Sequence, residues 1–509
     1  SSIMQLRNTS NNAHINLFTL SGGPAFAADG TINSVNIGKG TNSVSNNTVL
    51  GQSALDAAVT GNNNTSIGFS TLTANTSGQQ NTAVGSVALT SNTTGQRNTS
   101  IGVSSLNSNI TNSNNTAVGY TALFSNTADN NTGIGYATLS QNTSGTSNVA
   151  VGANSLDANT TASNNTGVGY NALTSNSTGE SNCSLGTFAL QSNTTAGDNS
   201  AFGKSALQNN TTGSNNTAVG SQALKANTTG TLNVAVGNNA LDANTTGQKN
   251  TALGSSALSA NTTADNNTAV GNGALLLSTG ASNTAVGGDA LLLNTTGSTN
   301  VAVGNDALRE NTTASDNTAV GHDALRANTT GFQNTAVGVD SLSSNTTGGN
   351  NTCIGRFAGQ SVTTGGNNLC LGNHAGKTAS PSGNITTASD QVCLGDNSIT
   401  NAFIKVAFTV TSDQRDKIED GVVSHGLDFV NQLKPKSFWF RKNRKSDEKH
   451  GDKRYGFYAQ DILALEGSDS VIIDSKDSEN LKFKGDQLIP VLVNAIKELS
   501  AKVTALEAG

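Results

Sequence analysis

Charge is scarce in this chain. Of 509 residues, 27 are Lys or Arg and 33 are Asp or Glu, and the formal net charge is −6. No basic stripe with interleaved aromatics stands out, so nucleic acid is not an expected partner. No apolar run approaches the roughly 18 residues that a membrane-spanning helix needs, so no membrane insertion is expected. Cysteine is equally sparse, with four copies at 183, 353, 370 and 393. The last three sit two residues before a recurring Gly, in a slot elsewhere filled by Ala, and Cys183 sits one place earlier. They read as small buried hydrophobes rather than metal ligands, with disulfides between neighbouring copies as the alternative. Five His, at 14, 322, 374, 425 and 450, show no ligand spacing. No metal and no cofactor are expected. Asp157, Asp242, Asp289 and Asp323 fall at scattered positions with no inserted domain, so the carboxylate constellation of a glycan hydrolase is not expected either.

Glycine is abundant, with 56 copies, and it is periodic. From Gly51 to Gly372, a Gly preceded by Val, Ile, Leu or Phe recurs in nineteen steps, seventeen of them 17 residues long and two of them 16. The unit reads Gly-x-x-Ala-Leu-x-x-Asn-Thr-Thr-Gly-x-x-Asn-Thr-Ala-Val around Val219-Gly220. A fixed period over such a length means stacked identical units, each contacting mainly its neighbours. Seventeen residues broken by Gly and Asn leave no room for paired helices, because both residues are poor helix formers.

The fold class expected is therefore mainly β, a parallel β-solenoid. One strand falls at Thr-Ala-Val, a turn at Gly, a second strand around Ala-Leu, and a polar return at Asn-Thr-Thr-Gly. Rungs about 4.8 Å apart would carry twenty copies over roughly 95 Å. Each rung is expected to bury one Val, such as Val236, one Leu and two Ala. That core is thin against the backbone entropy of each rung, which favours lateral association into an oligomer. Asn227 and Asn233 mark two Asn positions that recur in most units and suit amide ladders and tight turns. N-glycosylation at Asn-Thr-Thr is the alternative reading.

Composition divides the chain. Residues 1–400 carry 10 basic and 16 acidic residues, whereas residues 401–509 carry 17 of each, together with the only Trp, Trp439. The boundaries expected are a cap or attachment segment at 1–37, the solenoid at 38–400, a linker at 401–411 and a terminal domain at 412–509. Ser380-Pro381-Ser382-Gly383 reads as a loop inserted before a closing rung.

Over residues 38–395 the repeat resembles the head of trimeric autotransporter adhesins of the YadA type. That resemblance implies a trimeric left-handed parallel β-roll. The 17-residue rung is longer than the units of that family, and no signal peptide or translocator strands are visible, so a bacterial surface adhesin is the alternative rather than the main reading.

A second resemblance rests on three ordered motifs: Thr411-Ser412-Asp413-Gln414-Arg415-Asp416-Lys417, then Leu433-Lys434-Pro435-Lys436-Ser437-Phe438-Trp439, then Gly456-Phe457-Tyr458-Ala459-Gln460. Residues 412–509 thereby resemble the intramolecular chaperone domains of the endosialidase type, peptidase family S74. The resemblance implies a domain that trimerises, guides folding of the shaft and cuts itself off between Thr411 and Ser412. It assigns Asp413, Arg415, Gly456 and Gln460 to the chaperone motif, Ser412 as nucleophile and Lys417 as base. A Ser hydroxyl needs such a base, and a Lys serves as one only when deprotonated by desolvation or by neighbouring cations such as Arg415. Asp416 stands where that family often has Leu, and a carboxylate there favours the protonated Lys. The alternative is that Ser412 caps the turn and Lys417 is a surface charge.

Toward the end, Ile489, Leu492, Ile496, Leu499, Val503 and Leu506 are spaced 3, 4, 3, 4 and 3, a heptad seam within a helix expected at 489–507. Three symmetry-related helices would bury it; docking on its own domain is the alternative. The function expected is a homotrimeric host-attachment fibre on the surface of a phage or other virus. Its partners would be a host cell-surface receptor, glycan or protein, and a virion or tail component through the N-terminal segment.

Overall fold

The computed structural model describes residues 5–7, 14–16, 30–32, 34–378, 380–403, 405, 412–442, 444–467, 470–476, 478–479 and 481–509. Most of the 1–37 segment and of the 401–411 linker therefore lies outside the described residues. The chain forms two compact units, Ser1–Asn334 and Thr335–Gly509.

In the first unit the solenoid expected from the period is present. Each rung contributes one three-residue strand, paired in parallel and in register with the next. Thr217 faces Val234, Ala218 faces Ala235 and Val219 faces Val236. The stack opens differently: Gly30–Ile32 runs antiparallel to Val35–Gly38, and Val35–Gly38 runs antiparallel to Thr48–Gly51, before parallel pairing begins at Thr65–Ile67.

Two expectations about the rung are corrected. The Ala-Leu segment is a turn, not a second strand. Gln222 and Leu224 both take left-handed backbone, at φ 62° and 51°. This costs an L-residue about 1–2 kcal/mol, and the reason it is adopted lies in the hydrogen bonds. Alternating the handedness turns successive N–H groups up and down the stack. Gln222 N–H donates to Lys204 O of the preceding rung (2.9 Å), and Leu224 N–H donates to Ala240 O of the following one (3.0 Å). Every rung is thus bonded on both sides without a second strand.

The second correction concerns which strand residue is buried. Successive side chains of a strand point to opposite faces, so a three-residue strand has one inward position. That position is the central Ala235, fully buried, while Val236 is 37% exposed. The core of a rung is Leu241, Ala235, Ala240 and the two Asn, not a Val.

Both Asn columns run as expected. Asn227 Nδ2 donates to Asn210 Oδ1 (2.8 Å) and to Gly230 O (3.0 Å), and its Oδ1 accepts from Asn244 Nδ2 (2.8 Å). Asn233 Nδ2 donates to Gly247 O (2.8 Å), and its Oδ1 accepts the backbone N–H of Asn250 (3.0 Å). Both are fully buried. The sequon Asn227 has its amide N–H groups engaged within a packed column, which favours the ladder over the glycan. Thr hydroxyls extend the bonding, as in Thr228 Oγ1 to Thr245 O (3.0 Å).

The rung Gly is required twice over. Gly237 has φ 139°, and a Cβ there would lie 2.4 Å from Gly254 O in the next rung.

The second unit begins with four rungs whose strands are Thr335–Val337, Thr352–Ile354, Leu369–Leu371 and Val392–Leu394. Beyond them lie helix α1 (Leu427–Gln432), a hairpin of Lys436–Arg441 and Lys449–Gly456, helix α2 (Ala459–Glu466), a short pair of Ile473–Asp474 and Lys482–Phe483, and helix α3 (Leu488–Glu507). Phe429, Ile462, Ile472, Ile473, Leu488 and Val491 make its small core. Buried Glu466 organises that core. Its carboxylate accepts the backbone N–H groups of Val471 (2.8 Å), Ile472 (2.5 Å) and Ile473 (2.9 Å).

Candidate functional site

The Ser412–Lys417 segment is a single turn built by its own side chains. Asp413 accepts the backbone N–H of Arg415 (2.9 Å) and so caps the short 3₁₀ turn Gln414–Asp416. The Arg415 guanidinium grips the same carboxylate, with Nε 3.1 Å from both oxygens and a terminal nitrogen 2.5 Å from Oδ2. These bonds from Arg415 hold the Asp413 carboxyl below the usual carboxylate range and push the guanidinium up. With Lys417 N–H closing onto Gln414 O (3.1 Å), the side chain of Lys417 folds back. Its Nζ donates to Ser412 Oγ.

Nucleophile and base candidate are therefore brought together by local geometry alone. To act as the base, the Lys417 amine must accept the Ser412 proton. Both residues are exposed, and Arg415 is neutralised by Asp413 rather than turned on Lys417. Thr411, the other half of the scissile bond, lies outside the described residues.

The remaining motif residues support the fold of the domain. Gly456 ends the second hairpin strand, opposite Lys436; a Cβ there would sit 3.1 Å from the ring of Phe438. Gln460 lies exposed in the first turn of α2.

Helix α3 carries two apolar rows. Leu488, Val491 and Ala495 are buried against the domain. All six seam residues, Ile489, Leu492, Ile496, Leu499, Val503 and Leu506, are exposed, from 38% at Leu492 to 82% at Leu506. The row that docks on the domain is thus a different row from the heptad seam. On the flank of the buried row away from the seam, two polar residues hold α1 and the segment before it: Glu498 accepts Leu427 N–H (2.8 Å), and Asn494 Nδ2 donates to His425 O (3.0 Å).

Three readings of the sequence are revised. The hairpin does assemble a basic, aromatic surface, with Lys449 Nζ 3.9 Å and Lys453 Nζ 5.6 Å from the Trp439 ring centroid. Part of that charge is matched, by Arg441–Asp447 (2.8 Å) and Lys442–Glu448 (3.0 Å). The carboxylates are not scattered. Asp289, Asp306 and Asp323 share one rung position, and Asp157 and Asp242 share another. His322 also finds company that linear spacing hid, since ligand atoms of Asp306, His322 and Asp323 lie within 4.8 Å of one another. Arg309 pairs with Asp306 (3.1 Å) and Arg326 approaches Asp323 (3.5 Å), so the cluster is satisfied as an ion-pair network.

The cysteines behave as expected. Cys353, Cys370 and Cys393 fill the inward strand position in register, and all four cysteines are free thiols. A hydrogen bond shared with Cys370, and then burial, push the Cys353 thiol well above its usual range.

Among the described residues, no helix is long and apolar enough to cross a membrane. Residues 412–469 match the peptidase S74 family, described as chaperone of endosialidase. No curated protein and no solved structure matches the chain. The chain is a long parallel β-solenoid that carries, over residues 412–469, a segment matching the chaperone-of-endosialidase family, peptidase S74.

Proposed function

We propose that this chain is the subunit of a homotrimeric attachment fibre of a phage or other virus, assembled by its C-terminal segment. The observation that carries the reading is the presence of two uncovered apolar rows. One is the α3 seam. The other is the outward residue before each rung Gly, exposed at Ile101, Ile134, Leu185, Phe202, Val219, Val236, Leu253, Val286, Val303 and Val320. Soluble chains rarely leave such a row bare. Its partner must repeat at the same spacing to stay in register, and a second copy of this chain does.

Self-cleavage completes the reading. A neighbouring chain covering Ser412 and Lys417 would desolvate the ammonium and favour its neutral form. Lys417 Nζ then accepts the Ser412 Oγ proton as Oγ adds to the Thr411 carbonyl carbon. The Thr411–Ser412 C–N bond breaks, the proton passes to the Ser412 nitrogen, and water hydrolyses the resulting ester to a Thr411 carboxylate and the free hydroxyl. A second reading, in which the chaperone stays attached as a permanent tip, is favoured by the exposure of Ser412 and Lys417.

Intact-mass spectrometry of the purified protein decides between them. Self-cleavage gives fragments of 411 and 98 residues, from a chain of 509. Ser412→Ala and Lys417→Ala keep one full-length chain that still trimerises, and Asp416→Leu cuts as fast or faster. A folded wild-type trimer that never shortens assigns the permanent tip.

A further inference from the structure

Uniform features of a solenoid serve assembly, because every rung must obey them. Local departures are where recognition can be written. The largest departure in the first unit lies at the residue after the rung Gly. Elsewhere in that unit this position is mostly polar, as at Ser86, Ser221, Asn238, Ser255 and Asn272, with Val103, Ala153 and Gly288 as the non-polar exceptions. At Phe69, Tyr120, Tyr136 and Tyr170 it is aromatic, and each of these side chains is about half exposed. Of the chain's five Tyr, these three are all that precede residue 455.

Tyr120 and Tyr136, on adjacent rungs, stack with ring centroids 5.7 Å apart and planes 8° from parallel. The column is then interrupted. The next rung offers Ala153 at this position, and Tyr170 follows on the rung after. Tyr170 meets Phe188 edge to face, at 5.5 Å and 75°. Tyr136 is thus stacked with Tyr120 of the preceding rung, while the following rung offers only Ala153 at this position. A gap of two rung steps, roughly 9.5 Å, separates the rungs of Tyr136 and Tyr170.

From this arrangement we infer that Tyr136 and Tyr170, with Ala153 as floor, form a slot for an uncharged hexopyranose unit of a glycan. The inference rests on the attachment reading above and names its ligand class. Two van der Waals contacts of about 4 Å leave about 1.5 Å for the ligand ring itself, which suits a puckered sugar better than a flat aromatic. The electron-rich faces of the tyrosines attract the positively polarised C–H bonds of such a ring. Thr121, Ala137, Asn154 and Asn171, which follow the column residues in sequence, carry no charge. That disfavours sialic or uronic acids.

The test uses saturation-transfer NMR on the full chain. Methyl β-D-galactopyranoside and methyl β-D-glucopyranoside are the neutral probes, and 3′-sialyllactose is the charged comparator. The wild type should transfer saturation to the ring protons of a neutral probe. Tyr136→Ser with Tyr170→Ser should weaken that binding about tenfold. Ala153→Tyr, which continues the column and fills the slot, should abolish it. Light scattering should show the same oligomer throughout. Transfer that survives Ala153→Tyr overturns the slot and leaves the attachment reading standing. No transfer to either neutral probe, or transfer to the sialylated one alone, overturns it as well. Loss of the oligomer in the Tyr→Ser variant would reassign the aromatic column to the subunit interface.

Discussion

At the residue scale, stability hangs on positions where the repeat leaves no freedom. Gly237→Ala combines a left-handed φ with a Cβ 2.4 Å from Gly254 O. It should lower the stability of the solenoid by roughly 2–4 kcal/mol, read from guanidinium unfolding. Glu466→Ala strips three backbone N–H groups of their acceptor and should cost the C-terminal core a similar, roughly 2–4 kcal/mol. The thiols make a pH prediction. Because the Cys353 pKa is raised by its bond to Cys370 and by burial, the folded state holds that proton more tightly than the unfolded chain. The shared bond lowers Cys370 as it raises Cys353, so the stability that counts is the part due to burial; it is complete below the unfolded thiol value of about 8.5 and is lost as pH rises beyond it. At pH 8.5, iodoacetamide should therefore label half-buried Cys183 first. Labelling of Cys353 at the same rate would place that side chain outside the core.

At the scale of elements, the outward apolar row and the inward Ala separate two kinds of damage. Val236→Asp should leave each chain folded while blocking lateral association. Ile496→Asp on the α3 seam should do the same at the other interface. Val491→Asp, by contrast, puts a charge into the buried row and should unfold the C-terminal domain itself. Mass photometry with circular dichroism distinguishes these outcomes; a Val236→Asp trimer would mean that another face joins the subunits. Much of the element level was legible in the sequence. The Gly period announced the parallel stack, and the Asn pairs announced the ladders. The Ala–Cys exchange at 353, 370 and 393 located a small inward slot. What failed was the orientation of Val. A three-residue strand is too short to show alternation, so the bulkiest apolar residue looked like the buried one. Leu224 was equally opaque, since nothing in its chemistry favours left-handed backbone; the two-sided bonding of the rung imposes it. Glu466 and Glu498 act through residues that only tertiary folding brings near.

At the scale of the whole molecule, the Ser412–Lys417 turn is preformed but exposed, so assembly would be the trigger for cutting. The self-cleavage rate should then rise with protein concentration, and Ile496→Asp should suppress it without touching either reacting residue. Time-resolved mass spectrometry across a dilution series checks both. A concentration-independent cut would show that one chain suffices. The candidate dyad was legible because its members lie five residues apart on one turn. Its proton state was not, since that depends on what covers it.

The antiparallel strand Val35–Gly38 laid against Thr48–Gly51 has a consequence for growth. A stack of identical parallel rungs is a template: its open end presents unpaired N–H and C=O groups in the pattern that a further rung, from any copy, would match. Val35–Gly38, of reversed direction, stands between the first rung strand and Gly30–Ile32 and interrupts the parallel ladder at this end. The hairpin of Gly30–Ile32 and Val35–Gly38 thus occupies the edge that a further rung would otherwise use.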